Sequence, residues 1–212
     1  MQNVYMNTHP IVQDRLTRLR DKGASPQEFR SYLNEIAMFL VIDATCNLPI
    51  SPTIIETPVA QMEGAVLDDT SNPLIVPILR AGLAFSDTMS RILPHADTGH
   101  IGLCRDPETH EPVEYLVRLP KNLDRPIFVV DPMLATGGSM IGTLDILIAR
   151  GVDMKNIKII TLVCAPEGIA SLRVKYPTLD IYTAAVDSHL NDHAYIVPGL
   201  GDAGDRYFGT EG

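Results

Sequence analysis

The succession IFVVDPMLATGGS, residues 127–139, constrains this chain more than any other stretch. Ile127 to Val130 are apolar, β-branched or aromatic, and read as a buried strand. Asp131 stands at its carboxyl end. Small residues follow, and then Met140, Ile141, Leu144, Leu147 and Ile148 fall at helical spacing up to Arg150, with Gly151 as the C-terminal stop. A strand, an acidic residue, a loop with two glycines and a helix N-terminus make a cradle for an anion. The glycines let the backbone approach closely, and the helix end adds positive potential.

Two familiar phosphate loops are excluded. No Lys follows the glycines, so this is no G-x-x-x-x-G-K-[ST] loop, and there is no G-x-G-x-x-G for a dinucleotide. An acid just ahead of the cradle suits a ligand with vicinal hydroxyls beside its phosphate, such as a ribose 5-phosphate. The plainer alternative is a strand-to-helix turn in which Thr136 and Ser139 act as caps.

The same unit recurs upstream. Leu74 to Leu79, LIVPIL, is a continuous apolar run suited to a buried parallel strand despite Pro77. Arg80-Ala81-Gly82 follows, then a helical pattern through Phe85, Met89 and Ile92. Downstream, Ile157 to Ala165 predicts a strand, Pro166 to about Tyr176 a helix, and Leu179 to Val186 another strand. This alternation predicts an α/β fold with a doubly wound, mainly parallel sheet. Ahead of it lie an amphipathic helix near residues 9–22 and a longer helix behind the capping box Ser25-Pro26-Gln27-Glu28. Residues 53–67 predict a β-hairpin arm broken at Gly64, which would pack on the body or on another subunit. Arg105 to Pro112, between two strand-like runs, is either a lid or an ordinary hairpin loop.

Residues 195–210, YIVPGLGDAGDRYFGT, carry Gly199, Gly201, Gly204 and Gly209, and are expected to form no regular helix. Ile196, Val197, Leu200, Tyr207 and Phe208 nevertheless imply burial. Buried backbone donors and acceptors need partners, which a planar heterocycle with alternating carbonyls and ring N–H groups would supply. The 212 residues fit a single domain, 1–212. The net charge of −9 argues against nucleic acid or an anionic membrane as partner. Cys46, Cys104 and Cys164 lack metal-type spacing and suggest free thiols in the cytoplasm. His189 and His193, four apart, have no third ligand to make a zinc site.

Together VDPMLATGGS, VPILRAG (76–82), CAPEG (164–168) and the C-terminal segment resemble the uracil phosphoribosyltransferases over nearly the whole chain. The resemblance implies a type I phosphoribosyltransferase fold with a small hood, here 195–210, and a β-arm used in a homodimer or higher oligomer. It implies transfer from 5-phospho-α-D-ribose 1-diphosphate (PRPP) to uracil, giving UMP and diphosphate with Mg2+, in pyrimidine salvage. Arg80 and Arg105 would contact the diphosphate. Asp131 would hold the ribose hydroxyls, with Pro132 and Met133 beside it. Leu134, Ala135, Thr136, Gly137, Gly138 and Ser139 would hold the 5-phosphate. Tyr195, Ile196, Gly201, Asp202 and Ala203 would read uracil, Asp202 also facing PRPP and a metal held mostly through it. Arg80, Arg105, Asp131 and Asp202 are thus the expected catalytic set. Some family members are activated by GTP, and the sequence leaves that open. Cys104 stands where many uracil enzymes carry Tyr. A purine or orotate transferase, or an RNA-binding attenuator of the same fold, are the alternatives; the C-terminal segment opposes the first and the acidic balance the second.

Overall fold

The structure, a computed structural model, describes residues 2–68, 72–105 and 112–210, and of residues 104, 105, 112 and 113 the backbone alone. The chain opens with β1 (Val4–Met6), α1 (Pro10–Arg20) and α2 (Pro26–Thr45). The capping box at α2 is formed: Ser25 N donates to Glu28 Oε2 at 2.9 Å, and Glu28 N to Ser25 Oγ at 3.3 Å. A hairpin, β2 (Ile50–Glu56) and β3 (Gln61–Leu67), leads to β4 (Leu74–Leu79) and α3 (Leu83–Ile92). Then come β5 (Asp97–Thr98), β6 (His100–Arg105), β7 (Pro112–Arg118), β8 (Ile127–Val130), β9 (Met133–Leu134) and α4 (Gly138–Ala149). The chain continues through β10 (Ile157–Cys164), α5 (Pro166–Lys175), β11 (Asp180–Val186), β12 (His189–Leu190), β13 (Ile196–Val197) and α6 (Ala203–Phe208).

The main sheet runs β1-β11-β10-β8-β4-β6-β7, parallel except for the β6–β7 pair. Side chains alternate along its strands. Ile75, Phe128, Val130, Ile160 and Leu162 face α1, α2 and α3, whereas Leu74, Val76, Ile127, Val129 and Ile159 face α4 and α5. Helices therefore cover both faces, as the alternation of elements predicts. Pro77 is tolerated because β4 pairs with β5 at Leu74 and Ile75 and with β6 at Ile78 and Leu79, leaving a gap between the two ladders.

Strand order reverses beside β4. From there the chain goes outward to β6 and β7, then returns to β8 on the opposite side and proceeds to β10 and β11. In such sheets a crevice opens beyond the carboxyl ends of the two strands at the reversal. Here those strands are β4 and β8, which end at Arg80 and Asp131.

Several expectations need correction. The hairpin begins at Ile50, and Gly64 stays within β3, paired to Thr53, because a two-stranded ladder needs only its backbone. The C-terminal segment does contain a helix, α6: Asp202 caps its start by accepting from Asp205 N at 2.9 Å, and Gly209 closes it at φ 72°. Three of the four glycines lie outside that helix, so their helix-breaking character does not count against it. Phe208 is not buried but 39% exposed. Of the expected lid, Arg105 to Pro112, the two end residues pair across β6 and β7, and residues 106–111 lie outside those described. Among the described residues no helix is long and apolar enough to cross a membrane.

Candidate active site

Asp131 leaves β8 into a short detour, in which Met133 and Leu134 pair with Val163 and Cys164 of β10. This brief strand, unforeseen in the sequence, turns the loop back over the sheet. Gly137 then takes φ 88°, which an L side chain rarely adopts, and α4 begins without a side-chain cap. Ile141 N donates to Gly137 O at 2.8 Å and Gly138 N leans on Thr136 Oγ1 at 3.5 Å. Between them, the Ser139 and Met140 N–H groups have no hydrogen-bond partner among the described residues. Asp131 and residues 133–140 line an open cleft. Its open amides, at the positive end of a twelve-residue helix, suit an anion.

Two further glycines hold this cradle against the sheet. A Cβ on Gly168, in the first turn of α5, would lie 2.3 Å from Ala135 O and 2.8 Å from Leu134 O. A Cβ on Gly82 would lie 2.5 Å from Val130 O. Both are places where backbone packs on backbone. The CAPEG run contained the signal for Gly168, a glycine just inside a helix whose start is fixed by Pro166.

Asp131 is half-buried by exposure, but its carboxyl is enclosed by protein. Burial pushes its pKa up to about 7; the nearby Asp202 carboxylate raises it further, and the Met133 N–H, 3.4 Å from Oδ1, opposes the rise. The structure therefore brings Asp202 close to Asp131, although they are far apart in sequence. Arg80 is exposed at the end of β4, after a cis Leu79–Arg80 peptide, with its guanidinium 5.9 Å from the Phe208 ring. Arg105 ends β6, next to β4, but its side chain lies outside those described.

The C-terminal segment reaches this pole through a turn at Ile196–Gly199 that contains a cis Val197–Pro198 bond. Gly199 N donates to Asp187 Oδ2, Gly199 O accepts from Arg20, and Leu200 O accepts from Arg206. Gly201 differs: its N–H and C=O have no hydrogen-bond partner among the described residues. Ile196 and Ala203 are buried, whereas Tyr195 is 49% exposed. Among the described residues no three His, Cys, Asp or Glu side chains gather as a metal site.

A family model, "Uracil phosphoribosyltransferase", matches residues 6–210. The chain belongs to the uracil phosphoribosyltransferase family. A uracil phosphoribosyltransferase of Dictyoglomus thermophilum is 55% identical over 204 residues, covering 96% of this chain and 97% of that one. One from Brevibacillus brevis is 48% identical over the full length of both. A solved Aquifex aeolicus protein superposes with a TM-score of 0.89 at 31% identity, covering 98% of this chain and 99% of its own. The fold is thus that of the type I phosphoribosyltransferases, to which the crevice at the strand reversal also points.

The raised pKa of Asp131 has a consequence for stability. An acid whose folded pKa lies above its unfolded value favours the folded state at low pH, and that contribution is lost as pH climbs from about 4 through about 7. Ionised Asp131 is therefore a burden on the ligand-free protein above neutrality. Asp131→Asn should raise the urea midpoint at pH 8, and the gain should shrink steadily toward pH 4. Each pKa unit corresponds to about 1.4 kcal/mol, so the change across that range is on the order of a few kcal/mol. A gain of equal size at every pH, or none, would contradict the assignment.

Proposed function

We propose that this chain transfers the phosphoribosyl group of PRPP to uracil, releasing diphosphate and forming UMP. The observation that carries the reading is the convergence, at one strand reversal, of an anion cradle, an enclosed carboxylate and a loop with unspent backbone groups. The 5-phosphate sits on the amides around Ser139. Asp131 accepts hydrogen bonds from the ribose hydroxyls, which stabilises its ionised form and draws its pKa back down. Arg80 takes the diphosphate, a role the family resemblance also gives to Arg105.

As the anomeric carbon loses its leaving group, positive charge builds on the ribose ring and negative charge on the diphosphate. A guanidinium aimed at the departing oxygens binds this state more tightly than the ground state, and the Asp131 carboxylate favours the cationic ring. Magnesium fits this donor set. Two acids near each other are too few for an all-protein cage but suit an ion carried mainly on phosphate oxygens, with Asp202 as its protein contact. When bound, it neutralises charge on the diphosphate. At Gly201 the free N–H and C=O offer a donor and an acceptor, and uracil carries a carbonyl beside a ring N–H. Cytosine reverses that pattern and meets donor with donor.

The arm supports a homo-oligomer. Ile54 is 60% exposed, Val59 93% and Val66 50%, and the hairpin forms its own two-stranded sheet, which is marginal in water without a partner.

The experiment that tests the reading is UMP formation from PRPP with uracil or cytosine. Two mismatched groups at ~1–3 kcal/mol each predict at least roughly a hundredfold preference for uracil in kcat/KM, and Arg80→Ala should lose at least about tenfold. Equal rates with cytosine would contradict backbone readout, and an unaffected Arg80→Ala would remove that residue from the site. For the arm, sedimentation should give a dimer or larger species that Ile54→Glu weakens; a monomeric wild type would contradict the arm's role.

A further inference from the structure

The segment that reads the base is held from behind by groups that never reach the cleft. Arg20 is the last residue of α1, and Asp187 follows β11, 167 positions later. Their pairing is bidentate: Nη1 donates to Asp187 Oδ2 at 2.7 Å and Nη2 to Oδ1 at 2.6 Å. The Asp187 side chain is only 4% exposed and that of Arg20 19%. The capacity left over on both partners converges on one peptide. Arg20 Nη1 also donates to Gly199 O at 2.7 Å, and Gly199 N donates to Asp187 Oδ2 at 3.0 Å. Asp187 N in turn donates to Cys164 O at 2.8 Å, at the end of β10.

Gly199 is thereby gripped at its donor and its acceptor. Its conformation admits no other residue: φ is 61°, and a Cβ would lie 2.0 Å from Ile196 O. One residue on, Leu200 O accepts from Arg206 Nη1 at 2.9 Å. Arg206 is fixed by Asp21 O, at 2.6 Å from Nη2, and by the Phe29 ring, 4.6 Å away. Gly201, whose N–H and C=O both lack a hydrogen-bond partner among the described residues, comes next. Among the described residues it makes no hydrogen bond of its own, so these neighbouring anchors are what hold it.

We propose that Arg20 and Asp187 are positioning residues for base recognition: by clamping the Gly199 peptide they set where the Gly201 backbone meets the incoming pyrimidine. This rests on the reading of Gly201 to Ala203 as the base site. A buried ion pair is a poor source of net stability compared with apolar packing of the same volume, whereas it fixes geometry well. Loosening the clamp blurs the base site and leaves the cradle, which hangs from β8 and α5, in place.

The test is steady-state kinetics with both substrates, with PRPP affinity measured by calorimetry. Arg20→Met and Asp187→Ala should raise KM for uracil at least roughly tenfold, while kcat at saturating uracil and Kd for PRPP stay within about threefold. Asp187→Asn, which keeps an acceptor for Gly199 N–H, should fall between. If Asp187→Ala does not fold, Asp187→Asn and Arg20→Lys carry the same comparison. Parallel losses for uracil and PRPP, or no loss for either, would overturn the proposal. Gly201→Val separates the two layers. If it leaves KM for uracil unchanged, the base is not read there and the underlying reading fails. If it raises KM and the clamp variants do not, the clamp alone is refuted.

Discussion

The first turn of a helix cannot pair its own amides, and the carboxyl pole of this sheet is arranged around that fact. At α4 no side chain covers the gap: the N-cap is Gly137, in a left-handed conformation, and the N–H groups of Ser139 and Met140, which line the cleft, have no hydrogen-bond partner among the described residues. A capping Ser or Asp there would stabilise the helix by about 1 kcal/mol and occupy the site. The loop instead gains its order from below, through the β9 pairing with β10 and the close approach of Gly168 to Ala135 O.

Asp131 shows the same preference for function over comfort. Its carboxyl is enclosed enough to titrate near neutrality, with a second carboxylate nearby and one amide in its support. Hydroxyl donors or a cation brought to this carboxyl would favour its ionised form. The structural cost falls on the ligand-free protein. Arg80 lies opposite, at the end of the neighbouring strand, because the sheet reverses its order between β4 and β8. Neither residue needs the other's sequence neighbourhood; the topology brings them to one crevice.

Much of this was legible in the chain. Strand β8, the acid at its end and the start of α4 follow from apolar runs and glycines that are local in sequence, and Leu74–Leu79 falls on the predicted residues. The capping box at Ser25 names its own helix. Long-range facts were not legible. Arg20 and Asp187 sit 167 positions apart, and no local pattern marks either as half of a clamp. Strands β1 and β9 are three and two residues long, too short for periodicity to register. The C-terminal helix is hidden by the high glycine content of the whole segment, although Asp202 and Gly209 are its caps. The C-terminal segment nonetheless reads in sequence as backbone seeking partners, and at Gly201 the N–H and C=O have none among the described residues.

On the proposed reading, the loop from Leu134 to Ser139 and the first turn of α4 bind the donor's phosphate through main-chain N–H groups. Amide hydrogen exchange, with and without PRPP, tests this most directly, since it reads those groups themselves. Protection on binding should be strongest across residues 131–140, with ribose 5-phosphate alone giving the same local pattern. Strong protection elsewhere, with exchange across 131–140 unchanged at saturating PRPP, would contradict it.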